Sequence, residues 1–332
     1  MDSLSQIVLG AAVAYAVAGK KMGKSALLWG ALAGTLSDLD FIPSLFIEDE
    51  FFYLKHHRAF SHSLLATVVV PPIIAKLACR VNKKLDFWTI WAIFFWGIVT
   101  HIILDCFTSW GTQIFWPLPE RISLNAIFII DPLYTIPLLI AVVVALFLKT
   151  HRYRKYAVII GLCLSSLYLM WALGVKLYLN GQFEKLFLSQ NLDVKKYTTR
   201  PTVFNTILWT TTAETEVGYY YGMISLLDNK LQGPLYFSSK DHHLADTYTD
   251  NQSQTLISYT KGYYKVSEVG EGILIHDLRY GYMGNPWTNK PQAVFSYLLN
   301  KNGDKVTLHV QSPRPENSKE LLLQVWERLK GI

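Results

Sequence analysis

Thr89–Gly111 reads TIWAIFFWGIVTHIILDCFTSWG, and this stretch decides the fold. From Trp88 to Leu104 its residues are almost all apolar, which reaches the lower limit of about 17 residues for a membrane-spanning helix. Asp105 and His101 stand at its far end, four positions apart, so on a helix they share one face. An ionisable group at the edge of an apolar span is expensive and marks function.

Working outward, five further apolar segments flank this one: Ser3–Ala18, Ala26–Leu36, Ser63–Ala78, Pro132–Leu148 and Tyr156–Leu179. The chain of 332 residues is 51% hydrophobic and 17% charged, below the quarter or so expected of a soluble protein. The deficit is concentrated before Gly181. The sequence predicts an α-helical membrane bundle of about six helices over residues 1–180, followed by a soluble α+β domain over 190–332.

Basic residues set the expected orientation. Lys20, Lys21 and Lys24 separate the first two segments; Lys76, Arg80, Lys83 and Lys84 separate the third and fourth; Lys149, Arg152, Arg154 and Lys155 separate the last two. The positive-inside rule makes these connections cytoplasmic. Of the ten Asp and Glu residues before Gly181, only Asp86 falls on that side; Glu48 and Asp49 are among those opposite. The net charge of +6 is therefore topogenic, and no nucleic-acid partner is expected. Asp2 precedes the first apolar run and the lysines follow it, the wrong order for a cleavable signal. Cys79, Cys106 and Cys163 form no CxxC motif and are expected to be free.

The same topology collects a second set of residues at the outer face. GTLSDLD ends the second segment with Asp38 and Asp40; KHHRAFSHS, before the third, supplies His56, His57, Arg58, His62 and Ser63. With His101 and Asp105 these form a His/carboxylate constellation without thiolates, which suits zinc, or manganese, in a site with open positions. Asp38 and Asp40 diverge on a regular helix, so they converge only if the backbone leaves that form, as Pro43 allows. Arg58 matches the geometry of phosphate oxygens, and Ser63 offers a hydroxyl beside it. Asp131 before Pro132 reads as a helix cap, Gly111 as a turn, and Trp110, Phe115 and Trp116 as interfacial anchors. His242, His243, His276 and Asp277 read as surface or strand residues of the soluble part.

The segments MDSLSQIVLGAA, GTLSDLD, HHRAFSHSLL and HIILDCFTSWG, in this order, resemble the YdjM-like family of membrane-bound, metal-dependent hydrolases. The resemblance covers about the first 180 residues. It implies a bacterial inner-membrane, multi-pass protein, distantly akin to zinc-dependent phospholipase C and single-strand nucleases of the same helical fold. It further implies divalent metal held by Asp38, Asp40, His57, His62, His101 and Asp105, and hydrolysis of a phosphoester in a lipid or lipid-linked substrate. Arg58 and Ser63 would steady the phosphate. Many family members carry Asp-x-x-Thr-His near the N-terminus; this chain has Gln6 where the histidine stands, a poor ligand for a transition metal. Two other classes fit the residues: an ion or metal transporter, and a membrane scaffold with a structural metal site.

The C-terminal part alternates at period two in TVFNTILWTTTAE, EVGYYYGMISLL, GILIHDLRYGY and KVTLHVQS, which predicts strands. TLISYTKGYYKV is ambiguous. ENSKELLLQVWERLKGI predicts a helix capped by Asn317 or Ser318. The domain is expected outside the cytoplasm, near the metal face.

Overall fold

The computed structural model describes residues 1–47, 50–229, 233–270, 272–284, 292–302, 305–311 and 318–331. Glu48, Asp49 and the proposed cap Asn317 lie outside these. Each expected apolar segment is helical: α1 (Ser3–Met22), α2 (Ser25–Leu36), α4 (Leu64–Val81), α5 (Phe87–Cys106), α6 (Pro132–Phe147) and α7 (His151–Ser189), with a short α3 (Glu50–His56) between α2 and α4. Among the described residues, α1, α4, α5 and α7 are long and apolar enough to cross a membrane. The helices α2, with 12 residues, and α6, with 16, are shorter than a straight span.

Caps explain several of the boundaries. Asp2, Ser63, Asp86 and Asp131 accept backbone N–H bonds in the first turns of α1, α4, α5 and α6. The helix α7 has 39 residues, about 58 Å at 1.5 Å per residue, nearly twice the roughly 30 Å thickness of bilayer hydrocarbon. The junction expected between residues 180 and 190 therefore falls inside a continuous helix.

The chain divides into two compact units. The first comprises Met1–Phe46, Lys55–Gly174 and Val203–Asn205. Its core is built on α1, where Ala11, Ala12, Ala14, Tyr15 and Ala18 are buried with Leu27, Ala33, Ile90 and Leu138. Small residues let α1 and α2 approach to backbone contact. A Cβ on Gly34 would stand 2.2 Å from the Gln6 carbonyl oxygen, and one on Gly30 would stand 2.2 Å from that of Gly10. Gly30 and Gly34 are four apart, the small-xxx-small spacing that suits close packing in lipid.

The second unit comprises Ile47–Leu54, Val175–Thr202 and Thr206–Ile332. It holds two four-stranded antiparallel meanders. One is β1 (Lys196–Pro201), β2 (Leu208–Glu214), β3 (Gly218–Ser225) and β4 (Tyr236–Ser239); the other is β5 (Tyr264–Val269), β6 (Gly272–Tyr282), β7 (Ala293–Asn302) and β8 (Lys305–Gln311). Each meander is followed by a helix, α8 (Asn251–Tyr259) and α9 (Ser318–Leu329). The helices cross over. Val325 and Leu329 of α9 pack on Leu208, Tyr221 and Met223 of the first sheet. Tyr259 of α8 lies under the Arg279 guanidinium of the second, 4.4 Å from ring centroid to cation. The α+β class is as the alternation predicts, but TLISYTKGYYKV resolves into the end of α8 and the start of β5.

Candidate metal centre

The α2 helix tightens into a 3₁₀ helix over Ser37–Leu45, with Pro43 inside it. Within that turn Asp38 and Asp40 reach two sides of one imidazole. Asp38 Oδ1 lies 3.4 Å from His62 Nε2, and Asp40 Oδ2 lies 3.3 Å from His62 Nδ1. His62 itself closes a short 3₁₀ turn, Phe60–His62, directly before α4.

The last turns of α5 bring His101 and Asp105 to the same point. His101 Nε2 is 3.1 Å from His62 Nε2 and 3.4 Å from Asp38 Oδ1. Asp105 Oδ2 is 3.3 Å from His62 Nε2 and 3.5 Å from His101 Nε2. Asp38, His62, His101 and Asp105 thus offer one atom each, all within 4.8 Å of one another.

The hydrogen bonds around this quartet fix its tautomers. His101 Nδ1 is 2.7 Å from the Gly34 carbonyl oxygen, which can only accept, so Nδ1 carries the proton. Ser61 donates its hydroxyl to Asp40 Oδ2 at 2.8 Å, so its oxygen is left to accept from His62 Nδ1 at 2.9 Å. Both imidazoles therefore turn a lone pair at Nε2 inward, toward two carboxylate oxygens. With both imidazoles neutral, the four inward atoms are all acceptors and the two carboxylates give the set a net charge of −2, a deficit that a proton on His62 offsets in part. A divalent cation cancels that charge. Five of the six distances among these atoms run from 3.1 to 3.5 Å and all six lie within 4.8 Å, close enough for one metal ion to reach every one of them. The donor set and spacing could hold a metal ion.

Electrostatics point the same way. Burial opposes charging of His62, but hydrogen bonds with Asp105, Asp38 and Asp40 outweigh it and push the group up to about 10. Burial would raise Asp38, yet its hydrogen bonds with His101 and His62 hold it well below the usual carboxylate range. The point where these groups meet demands positive charge. His62, His101 and Asp105 are fully buried while Asp38 keeps 20% of its side-chain surface, so the open edge of the quartet is at Asp38.

The remaining sequence-predicted residues stand one step back. Asp40 accepts from His57 Nδ1 at 2.8 Å, from the Arg58 backbone N–H at 2.9 Å and from Ser61. It orients His62 instead of joining the quartet, and His57 in turn lies edge-on to Trp110. Arg58 adopts φ 57°, is buried, places Nε 3.0 Å from Asp105 Oδ2 and donates to Thr108 Oγ1 at 3.1 Å. Its charge is directed at Asp105. Ser63, expected beside the phosphate, is buried; its hydroxyl donates to Phe60 O, and its oxygen caps α4 at the Ala66 N–H. His56 ends α3 and is not in the quartet.

Three supports stand beside the quartet, and of these only the first carries no signal in the sequence. The Gly34 carbonyl is a backbone atom with no motif. Ser61 sits within the quoted FSHS but its role depends on the turn. Gln6 donates Nε2 to Asp105 Oδ1 at 3.0 Å, while the Met1 α-amine ion-pairs with the same oxygen.

Comparison with known proteins agrees with this N-terminal architecture. Residues 1–179 match the YdjM inner membrane protein family. The uncharacterized protein YfhP of Bacillus subtilis (strain 168) is 27% identical over 152 residues, covering 43% of this chain and 46% of that protein. The chain thus matches about half the length of that curated relative. No solved structure matches the chain. With more than half of its residues matched, including every residue of the quartet, the chain belongs to the YdjM inner membrane protein family.

Proposed function

We propose that this protein is a membrane-bound, metal-dependent hydrolase of a phosphoester in a lipid or lipid-linked substrate. The observation that carries the reading is the convergence of two imidazole lone pairs and two carboxylate oxygens on one point, open at Asp38. When bound there, a divalent ion, zinc or manganese, supplies Lewis acidity toward a phosphoryl oxygen and favours ionised water near neutral pH.

The protein's own residues do the rest. His62 and His101 keep fixed tautomers, because Ser61 with Asp40 and the Gly34 carbonyl hold their Nδ1 protons. Asp105 is ion-paired with Arg58 and the Met1 amine. Hydrolysis breaks one P–O ester bond; the water oxygen joins phosphorus and a proton leaves with the released alcohol. A kinship with zinc-dependent phospholipase C belongs to the same proposal. So does the sidedness: the lysine- and arginine-rich connections α1–α2, α4–α5 and α6–α7 favour the cytoplasm, which puts the quartet and the C-terminal domain outside.

The test is turnover of a phosphodiester by detergent-purified protein before and after metal stripping. Activity lost on chelation and restored by zinc or manganese supports the reading. Stoichiometric metal without turnover selects a structural site in a membrane scaffold, which the complete burial of three of the four ligands favours.

A further inference from the structure

The α4 helix is the span that hides least of itself: 22% of its apolar window is buried, against 50% for α5 and 67% for α1. Its first two turns expose Leu64, Leu65 and Val68. Directly before them Phe60 packs edge-on against Trp116 at 5.3 Å between ring centroids, and both rings remain more than a third exposed. The Leu64 N–H donates to the Ile114 carbonyl at 2.9 Å, which pins the Trp116 loop to the start of α4. His62 is two residues from Leu64.

Depth follows from length. The 18 residues of α4 extend about 27 Å, close to the roughly 30 Å of bilayer hydrocarbon. With α4 spanning that layer, Leu64 marks its edge and His62 lies just beyond, at the level of lipid phosphates. Asp105, the penultimate residue of the antiparallel α5, lies at the same level. Trp116, with an apolar face and a polar N–H, favours this boundary, and Phe60 packs against it.

We propose that the substrate is a phosphoester anchored in the bilayer by its hydrocarbon tail, and that it reaches the quartet laterally. The tail lies along Leu64, Leu65 and Val68 and against the Phe60–Trp116 pair, while its phosphate meets the open edge at Asp38. This rests on the hydrolase reading and deepens it: the substrate never leaves the membrane.

The test compares one leaving group in two settings, water-soluble bis(p-nitrophenyl) phosphate and dioleoyl phosphatidyl-p-nitrophenol in mixed micelles. The proteins are wild type, Phe60→Ser/Trp116→Ser and Phe60→Leu/Trp116→Leu. The serine pair is expected to lower the lipid-to-soluble ratio of kcat/KM about tenfold or more, as loss of a large apolar contact implies. The leucine pair, which stays apolar, is expected to keep most of the ratio, and bound metal should be equal in all three. An unchanged ratio in the serine pair overturns the proposal, as does wild type that hydrolyses the soluble ester and not the lipid. Wild type that hydrolyses neither removes the hydrolase reading and the lateral route with it.

Discussion

His62 and His101 point Nε2 at Nε2 across 3.1 Å, with each Nδ1 already committed elsewhere. At that distance the two nitrogens share either a proton, as a hydrogen bond, or a metal ion that takes its place. The arrangement persists because three separate elements impose it: the 3₁₀ turn at Ser37–Leu45, the turn before α4, and the end of α5.

Asp40 positions His62, and through it any metal that the quartet holds. Asp40→Asn leaves the quartet complete but weakens the carboxylate that Ser61, His57 and the Arg58 N–H all engage. Loss of such a support reduces metal affinity about 10–100-fold without abolishing it. Competition with a graded series of chelators should show this intermediate phenotype; wild-type affinity in the variant would mean that Asp40 does not hold the ring.

Gly34 serves packing and chemistry together. A methyl group there meets the Gln6 carbonyl at 2.2 Å, a contact with backbone that cannot rotate away. Gly34→Ala should therefore cost about 1–3 kcal/mol and lower metal occupancy, since the same residue accepts the His101 bond. Thermal unfolding in detergent, read beside metal content, checks both. A variant with unchanged Tm would show that α1 and α2 are not in backbone contact.

Arg58 is held at positive φ with its guanidinium buried beside Asp105. Removing one partner of a buried pair costs about 3–5 kcal/mol, so Arg58→Ala should unfold at markedly lower temperature than wild type. If its main task were instead to hold substrate, the variant would keep its Tm and show only a raised KM.

The C-terminal domain carries its own titration. His276 receives hydrogen bonds from, or gives them to, Ser267 and Ser296 at 2.8 and 2.9 Å. Burial first, and Lys265 second, push it down to about 4. Its folded value lies below the unfolded value of about 6.5. Stability from this group is present above pH 6.5 and declines as pH falls toward 4, by about 1 kcal/mol at pH 5.5. The fall in Tm between pH 7.5 and 5.5 should shrink in His276→Asn; an equal fall in both proteins would assign it elsewhere.

Much of this was legible in the sequence because lipid imposes simple patterns. The six apolar runs became six helices, and charge sorting put the Asp38, His62, His101 and Asp105 segments at one end. What the pattern could not separate was ligand from support. Asp38 and Asp40 look alike in GTLSDLD, and only the 3₁₀ turn decides that one faces His62 Nε2 and the other Nδ1. Ser63, equally polar on paper, is used up as a helix cap. In the second unit, the long alternating β6 stood out, whereas β1 (KYTTRP) and β4 (YFSS) are short and polar and lack a period. The α8 helix was hidden in a β-branched run, and its start at the Asp250 cap lies before that run.

The quartet is expected to hold one metal ion. The direct measurement is elemental mass spectrometry of detergent-purified protein, prepared without chelators, for wild type beside His62→Ala and His101→Ala. One zinc or manganese per wild-type chain, lost in both variants, is the predicted result. Wild type that stays metal-free after metal is added back, or variants that retain it, would contradict the account.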